Sequence, residues 1–489
     1  MRLAKMAGTR CRVDDMNAIL EELRPVFYPR SIAVVGASSD EDKSGTQFLR
    51  ALVKAGYTGA LYPVNRSGER SCGLPAFTSL RFIPEEVDYV VVAIPRSTVL
   101  PLLDDCAAKG VKAVQLFTAG FRETSTDAGV QLEREMVTRA RRGGFRIIGP
   151  NCIGIYNPSM RIPYGPLSQI GEPGSVGFIS QSGGHGGRFV ELGIERRINF
   201  SKLVSFGNGA DLDCVDFLEY FAADPETTLI GAYLESVERG TRFMDLIRQT
   251  SKRKPIIVWK GGRSPAGSET AISHTGALSS SYSVWKGAMA QAGAIAVESL
   301  DELADTVISL EAIGPATGGR AAIVCGLGGG GGGESVLAAD VFGSRGLKIL
   351  PFTEKTRLGI GALLPGAGTI LRNPLDLGGI LPKPEVLEKV MSLVLDDENV
   401  DFLVVQEHLG KLMKTLLGDE LSALNQTLVA SQRARNKPLL VVAPAWARTE
   451  PALEIEDQLR RKGVPVYRSF ESAAGSINRV AGYWRRLRA

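Results

Sequence analysis

Histidine is nearly absent from this 489-residue chain: His185, His274 and His408 are the only three. A metal centre built from several imidazoles is therefore disfavoured, because such sites draw two or more histidines together. The six cysteines, at positions 11, 72, 106, 152, 214 and 325, show no paired spacing that would chelate zinc or form a redox dithiol, and they read as reduced thiols of a cytosolic protein. Neither sign of charge is in excess. Lys and Arg number 57 against 53 acidic residues, and a net +4 is too thin to mark nucleic-acid binding. No run approaches the ~20 consecutive apolar residues of a membrane span. The opening, Met1 to Val13, lacks the apolar core of a signal peptide; it is basic and poor in Ser, then turns acidic at Asp14 and Asp15, which lends a transit peptide little support. The expected setting is the cytoplasm, with neither nucleic acid nor membrane as a partner.

What the chain does have is an ordinary globular balance, 44% hydrophobic and 22% charged, over a length that suits roughly three domains of ~150 residues. Runs rich in Val and Ile, each followed by a Gly-containing turn and a helical pattern, predict an α/β fold with parallel sheets. Ser31 to Val35, Leu61 to Val64, Val87 to Ile94, Ala113 to Phe117 and Phe145 to Ile148 are expected strands of one doubly wound, Rossmann-like domain. Val176 to Ile179 opens a second domain, continued by Ile230 to Leu234 and Pro255 to Trp259, and Ala321 to Val324 opens a third. The expected organisation is an extension over 1–24 and domains over 25–157, 158–315 and 316–489.

The last two domains read as copies of one another. Thr228 to Glu235 parallels Val400 to Glu407, Lys254-Pro-Ile-Ile-Val258 parallels Lys437-Pro-Leu-Leu-Val441, and Ala292 to Ser299 parallels Lys462 to Ser469. Between the second and third matched strings the earlier copy carries Gly261 to Ala277 with His274, whereas the later one carries Ala443-Pro-Ala-Trp-Ala-Arg448 and no histidine. The later copy is therefore read as degenerate. His408 within it is expected at the surface, and His185, beside Ser182-Gly183-Gly184, as polarity at a helix start.

In the first domain, Gly36-Ala37-Ser38 follows a strand and precedes a helix, where backbone N–H groups and a helix N-terminus can hold phosphate. The Gly-x-Gly-x-x-Gly of a dinucleotide enzyme is missing, and the second strand ends at Asn65 rather than at an acid, so NAD is disfavoured. The other strand ends carry Ile94-Pro95-Arg96-Ser97, Thr118-Ala119-Gly120-Phe121 and Gly149-Pro150-Asn151-Cys152. Ligands of doubly wound sheets bind at the carboxyl ends of strands, which would line one crevice with these segments. Together they resemble the CoA-binding domain of the succinyl-CoA synthetase superfamily. The resemblance implies that coenzyme A is held by Gly36, Ala37, Ser38, Lys43, Asn65, Ile94, Pro95, Ser97, Thr118, Gly120, Asn151 and Cys152. As a thiol, Cys152 reads as a packing residue rather than a nucleophile.

His274 lies among small and polar residues and is expected in a loop. Ser273-His274-Thr275-Gly276-Ala277-Leu278, preceded by Lys260-Gly261-Gly262-Arg263, resembles the active-site segment of NDP-forming acyl-CoA synthetases, in particular the α-type subunit of ADP-forming acetyl-CoA synthetase. Neutral imidazole is a competent nucleophile near pH 7 and forms a labile phosphoramidate, so it can receive and pass on a phosphoryl group. By this resemblance His274 is the phosphoryl acceptor, Glu235 the carboxylate orienting it, and Ser182 and Gly183 the helix start that binds phosphate. The second and third domains become flavodoxin-like. The implied reaction is reversible: acyl-CoA, phosphate and ADP give the carboxylic acid, CoA and ATP through an acyl phosphate and phosphohistidine, with GDP an open alternative. No ATP-grasp module is recognisable, so an oligomer with a separate ATP-grasp β-type subunit, carrying Mg2+ with ATP or ADP, is expected. By family analogy the acyl pocket lies near Phe206 to Asn208 and Ala210-Asp211. Two rivals stay open, a CoA-binding regulatory protein without catalysis and a Rossmann oxidoreductase. The first draws on Ser279-Ser280-Ser281, where relatives commonly have Ala-Gly, and on the six glycines from Gly328 to Gly333.

Overall fold

The computed structural model describes residues 13–167, 169–275, 281–315, 317–327, 331–364, 370–378, 382–408, 418–433, 437–444 and 450–488. The serines 279 and 280 and the first three glycines of the Gly328 to Gly333 run lie outside them. Two compact units divide the chain: residues 1–194 with 199–298, and residues 195–198 with 299–489. Among the described residues no helix is long and apolar enough to cross a membrane.

The Val- and Ile-rich runs form strands because β-branched side chains fit a pleated surface buried on both faces. β1 (Ser31–Val35), β2 (Ala60–Val64), β3 (Tyr89–Val92), β4 (Ala113–Leu116) and β5 (Arg146–Ile148) pair in parallel, in the order β2-β1-β3-β4-β5. The chain leaves β1 toward one edge of this sheet and β3 toward the other, which opens a crevice at their carboxyl ends.

The same unit holds a second sheet, made by β6 (Gly154–Tyr156), β7 (Val176–Ser180), β8 (Phe200–Ser205), β9 (Leu229–Leu234), β10 (Ile256–Lys260) and β11 (Ile295–Val297) in the order β11-β10-β9-β7-β8-β6. Here β6 runs antiparallel to β8. The third sheet is built from β12 (Ala321–Leu327), β13 (Ile370–Leu371), β14 (Leu375–Asp376), β15 (Phe402–Glu407), β16 (Leu439–Val442) and β17 (Val466–Tyr467). Its order, β13-β14-β12-β15-β16-β17, read from the β17 edge repeats the second sheet strand for strand, down to an antiparallel final strand. The three paired sequence strings thus occupy equivalent strands.

β8 escapes the apolar-run signal because Lys202 sits in its middle. That lysine is fully buried, and its Nζ is held by Asp224 Oδ2 and Glu226 Oε2, both at 2.8 Å. A buried charge is tolerable only with such partners. The expected boundary at residue 24 falls inside a helix, Val13–Phe27. Its last turn is buried through Leu23, Val26 and Phe27, and the Phe27 ring stacks on Tyr220 with centroids 4.4 Å apart. Asn157 Nδ2 donates to the Phe27 carbonyl at 2.7 Å and fixes the helix end.

The first two sheets are joined by backbone. The N–H groups of Asn208, Ala210 and Leu212 donate to the carbonyls of Pro150, Gly149 and Ile147 at 3.0, 3.0 and 3.2 Å. Gly207 is required at this seam: its φ is +53°, and a Cβ there would lie 2.2 Å from the Asn151 carbonyl oxygen. Asp211 belongs to the same seam, accepting from Arg146 Nε at 2.8 Å and from the Ile147 N–H at 3.0 Å. Its carboxylate is thus spent on structure, which removes it from the expected acyl pocket.

In the third sheet, His408 is buried at 1% exposure, not on the surface as expected: it directly follows β15, a strand flanked by β12 and β16, and its N–H extends the ladder to the Leu327 carbonyl at 3.4 Å. Its neighbour Glu407 is fully buried, and neither carboxyl oxygen has a hydrogen-bond partner among the described residues. Burial pushes the Glu407 carboxyl up to about 8. Between the ordinary value of 4.5 and about 8 the folded chain keeps a proton that the unfolded chain has lost, so stability falls as pH rises through this window. Glu407→Gln is expected to abolish that slope. Urea unfolding should find the variant equal to the parent near pH 4 and more stable by on the order of 3 kcal/mol near pH 7.

Candidate functional site

A cavity of about 790 Å³ opens at the carboxyl ends of the first sheet and reaches the start of the second sheet's first helix. Of the expected residues, Lys43, Ile94, Pro95, Thr118, Asn151, Cys152, Ser182 and Gly183 line it, whereas Gly36, Ala37, Ser38, Asn65, Ser97 and Gly120 do not.

The second group shapes the wall from behind. Gly36 turns the chain at φ +101°, where a Cβ would lie 2.3 Å from the Ala93 carbonyl oxygen, so only glycine lets β1 and β3 end this close. The unpaired N–H groups expected at Gly36 and Ser38 are taken: the first bonds Val64 O at 2.9 Å and the second Thr46 Oγ1 at 3.0 Å. Ala37 is fully buried. The helix start that faces the cavity comes later, at Ser44, where Lys43 provides no side-chain cap. First-turn N–H groups left without a cap favour an anion. Asn65 braces this loop, donating from Nδ2 to Ala37 O at 2.8 Å and to Glu69 O at 2.9 Å. Gly120 is occupied on both sides, by Glu123 Oε1 at 2.5 Å and Arg96 Nη1 at 2.8 Å, and Ser97 is exposed.

Thr118 Oγ1 donates to Ile94 O at 2.7 Å and ties two of the lining loops together. Asn151 adopts φ +57° and donates its N–H to Thr118 O at 3.1 Å. The buried Cys152 thiol points at the carbonyls of Leu116 and Ile148, each 3.4 Å away. Burial raises its pKa far above the ordinary thiol range, which leaves it an unreactive packing group. Gly207 and Asn208 also line the cavity, but the Asn208 amide is engaged by Glu123 at 2.6 Å and Glu133 at 2.9 Å.

On the second sheet, β7 ends at Ser180 and the Gly183–Arg196 helix begins at once. Ser182 Oγ accepts the His185 N–H at 3.3 Å, and Tyr164 donates to Gly183 O at 2.9 Å. Gln181, not among the expected residues, lines the cavity and takes the N–H groups of Glu235 and Ser236 on its Oε1, at 2.8 and 3.0 Å. Its one signal in the sequence was a polar residue closing an apolar strand. Glu235 is 7% exposed and follows β9; its Oε1 accepts from the Tyr233 hydroxyl at 3.1 Å. Lys260, also buried, donates to the Glu235 carbonyl at 2.7 Å, and its burial lowers the ammonium pKa.

His185 is half-buried against Tyr233 and Trp259, more than helix-start polarity requires. Burial and then Arg188 lower its pKa while Glu235 opposes them, which keeps the imidazole neutral near pH 7. His274 lies in the last turn of a helix, Pro265–Thr275, where a loop was expected. Helix formers Ala266, Glu269 and Ala271 follow Pro265 at the first position, a favourable start. The His274 side chain, and residues 276–280 of its motif, lie outside the described residues.

Residues 30–158 match a family described as a CoA binding domain, and residues 173–310 a succinyl-CoA ligase like flavodoxin domain. The α subunit of the ADP-forming acetate–CoA ligase II of Pyrococcus furiosus is 36% identical over 452 residues, covering 92% of this chain and 95% of that one. The chain belongs to the NDP-forming acyl-CoA synthetase family. Another member, the ADP-forming acetate–CoA ligase I of Archaeoglobus fulgidus, is 35% identical over 379 residues, which cover 78% of this chain but 54% of that protein. Among solved structures, acetyl-coenzyme A synthetase 1 of Ca. Korarchaeum cryptofilum, in complex with phosphate and ADP, superposes with a TM-score of 0.82 at 30% identity, covering 95% of this chain and 97% of that one.

Within this family member, Gly36→Ala is expected to destabilise the first unit by about 2 kcal/mol or more, since it adds both a disfavoured φ and a backbone clash. A lower urea midpoint should register the loss, and an unchanged midpoint would show that the β1–β3 crevice can spread.

Proposed function

We propose that this chain is the CoA-handling, phosphohistidine-carrying half of an ADP-forming acid–CoA ligase. The observation that carries the reading is the single cavity whose wall combines the loops after β3, β4 and β5 and the uncapped helix start at Lys43-Ser44 with the helix start at Ser182-Gly183. One ligand with a nucleotide diphosphate at one end and a thioester at the other would span that distance. Lys43 and the first turn after it would take the diphosphate of CoA, and the Ile94-Pro95, Thr118 and Asn151-Cys152 segments would guide the pantetheine arm.

In the direction of ATP formation, phosphate attacks the thioester carbonyl, the C–S bond breaks, and CoA leaves as the thiol. The resulting acyl phosphate sits over Ser182 and Gly183, whose N–H groups favour its charge. His274 then attacks phosphorus, the P–O bond to the acyl group breaks, and the carboxylate leaves. Glu235 accepts the proton-bearing face of the imidazole and balances the charge that develops on it. Delivery to ADP belongs to an ATP-grasp partner carrying Mg2+ with the nucleotide. The P. furiosus relative named as an α subunit and the A. fulgidus protein, of which the matched stretch covers 54%, support such a division of labour. The assembly would work in the cytoplasm.

The test is radiolabelling of the full chain with ATP, Mg2+ and the partner. An acid-labile, base-stable label is expected on His274. His274→Ala should abolish it without affecting CoA binding, and His185→Ala should retain it. Glu235→Gln should slow labelling and leave CoA binding intact. Unchanged labelling of His274→Ala would overturn the reading in favour of a CoA-binding regulatory protein.

A further inference from the structure

β9 closes at Tyr233-Leu234 and Glu235 follows it directly, so the two-residue period of a strand carried one step on puts Tyr233 and Glu235 on one face. The Tyr233 hydroxyl lies 3.1 Å from Glu235 Oε1. The ring that carries it is confined on two sides. Its centroid is 4.5 Å from that of His185 and 4.5 Å from that of Trp259, and those two rings are themselves 4.6 Å apart. His185 comes from the first turn of the Gly183–Arg196 helix, directly after Ser182 and Gly183, whereas Trp259 comes from β10.

The space is closed from a third side by Gly261. A Cβ at that position would lie 2.6 Å from the Tyr233 hydroxyl oxygen and 3.0 Å from Glu235 Cγ. Any side chain there would push the hydroxyl and the carboxylate apart, so the glycine after Lys260 has a local reason.

We propose that Tyr233 is a positioning residue for Glu235, clamped by His185 and Trp259 so that its hydroxyl holds the carboxylate in register with the Ser182-Gly183 turn. The inference rests on the reading of Glu235 as the carboxylate that orients His274. Burial and the neighbouring Glu235 raise the Tyr233 pKa, so the phenol stays protonated and serves as a donor. A donor to the charged form of a carboxylate favours that form, which is the form an imidazole N–H needs. Among the described residues, Lys260 from β10 and His185, with Arg188 beyond it, from the Gly183–Arg196 helix also face Glu235.

Tyr233→Phe removes the hydroxyl and keeps the ring. Two readouts are compared in the full chain: titration of the Glu235 carboxyl by 13C NMR, assigned through Glu235→Gln, and the pH profile of His274 phosphorylation with the partner, ATP and Mg2+. The carboxyl midpoint is expected to rise by about half a pH unit or more, with the acid limb of the profile moving up alongside it and the rate falling about tenfold. Calorimetric CoA binding should not change. Should Tyr233→Phe fail to fold, Gly261→Ala, which displaces the hydroxyl while retaining it, should shift both readouts in the same direction. An unmoved carboxyl midpoint in the folded variant overturns the proposal, even where His274 is labelled at the parental rate. A shifted midpoint in a chain whose His274 never takes label sustains the Tyr233–Glu235 pairing and overturns the proposed function instead.

Discussion

The seam between residues 147–151 and 207–212 is what the site depends on. Three backbone hydrogen bonds, the Arg146–Asp211 ion pair and the side-chain-free Gly207 fasten the loop after β5 to the loop after β8. Without that attachment the first sheet would offer strand ends with no helix start opposite them. The cavity exists because two sheets, each with its carboxyl edge rich in glycine and small polar residues, are held edge to edge by main chain. Side-chain packing alone would allow the slack that a positioned reaction cannot tolerate.

The sequence was most readable where one force acts alone. Strands β1, β3 and β9 are runs without a charged residue, and their limits agree with the structure to within a residue or two. Reading failed where two forces compete. β8 was missed because Lys202 is buried by virtue of acids more than twenty residues away. His408 looked like a surface residue because its burial follows from the strands that flank β15, which no local pattern encodes. The donors expected at Gly36 and Ser38 were misjudged for the same reason, since Val64 and Thr46 claim them only once the chain is folded. Gln181 and Tyr233 stood in plain view, but their value lies in what they touch.

The two similar sheets also show how a duplicated frame diverges. Both end their central strand in a buried glutamate, Glu235 after β9 and Glu407 in β15. The first has a donor on its carboxyl, the Tyr233 hydroxyl, while its N–H is taken by Gln181 Oε1 and its carbonyl oxygen by Lys260. The second has none on its carboxyl among the described residues and is held in its neutral form. The same residue type at the same topological place thus has a donor on its carboxyl in one copy and is a proton store in the other. The difference lies in the shell around it.

A chain that contains two sheets of one design risks assembling a hybrid as it is synthesised, because an open edge in one copy accepts a strand of the other. In each copy a short antiparallel strand covers one edge and precedes, in the sequence, the strand that it covers. β6 at residues 154–156 leaves the ribosome before β8 at 200–205, and β13 at 370–371 before β14 at 375–376. In each copy the strand that closes the edge is already available when the edge appears, and at three and two residues it is too short to recruit a strand of its own.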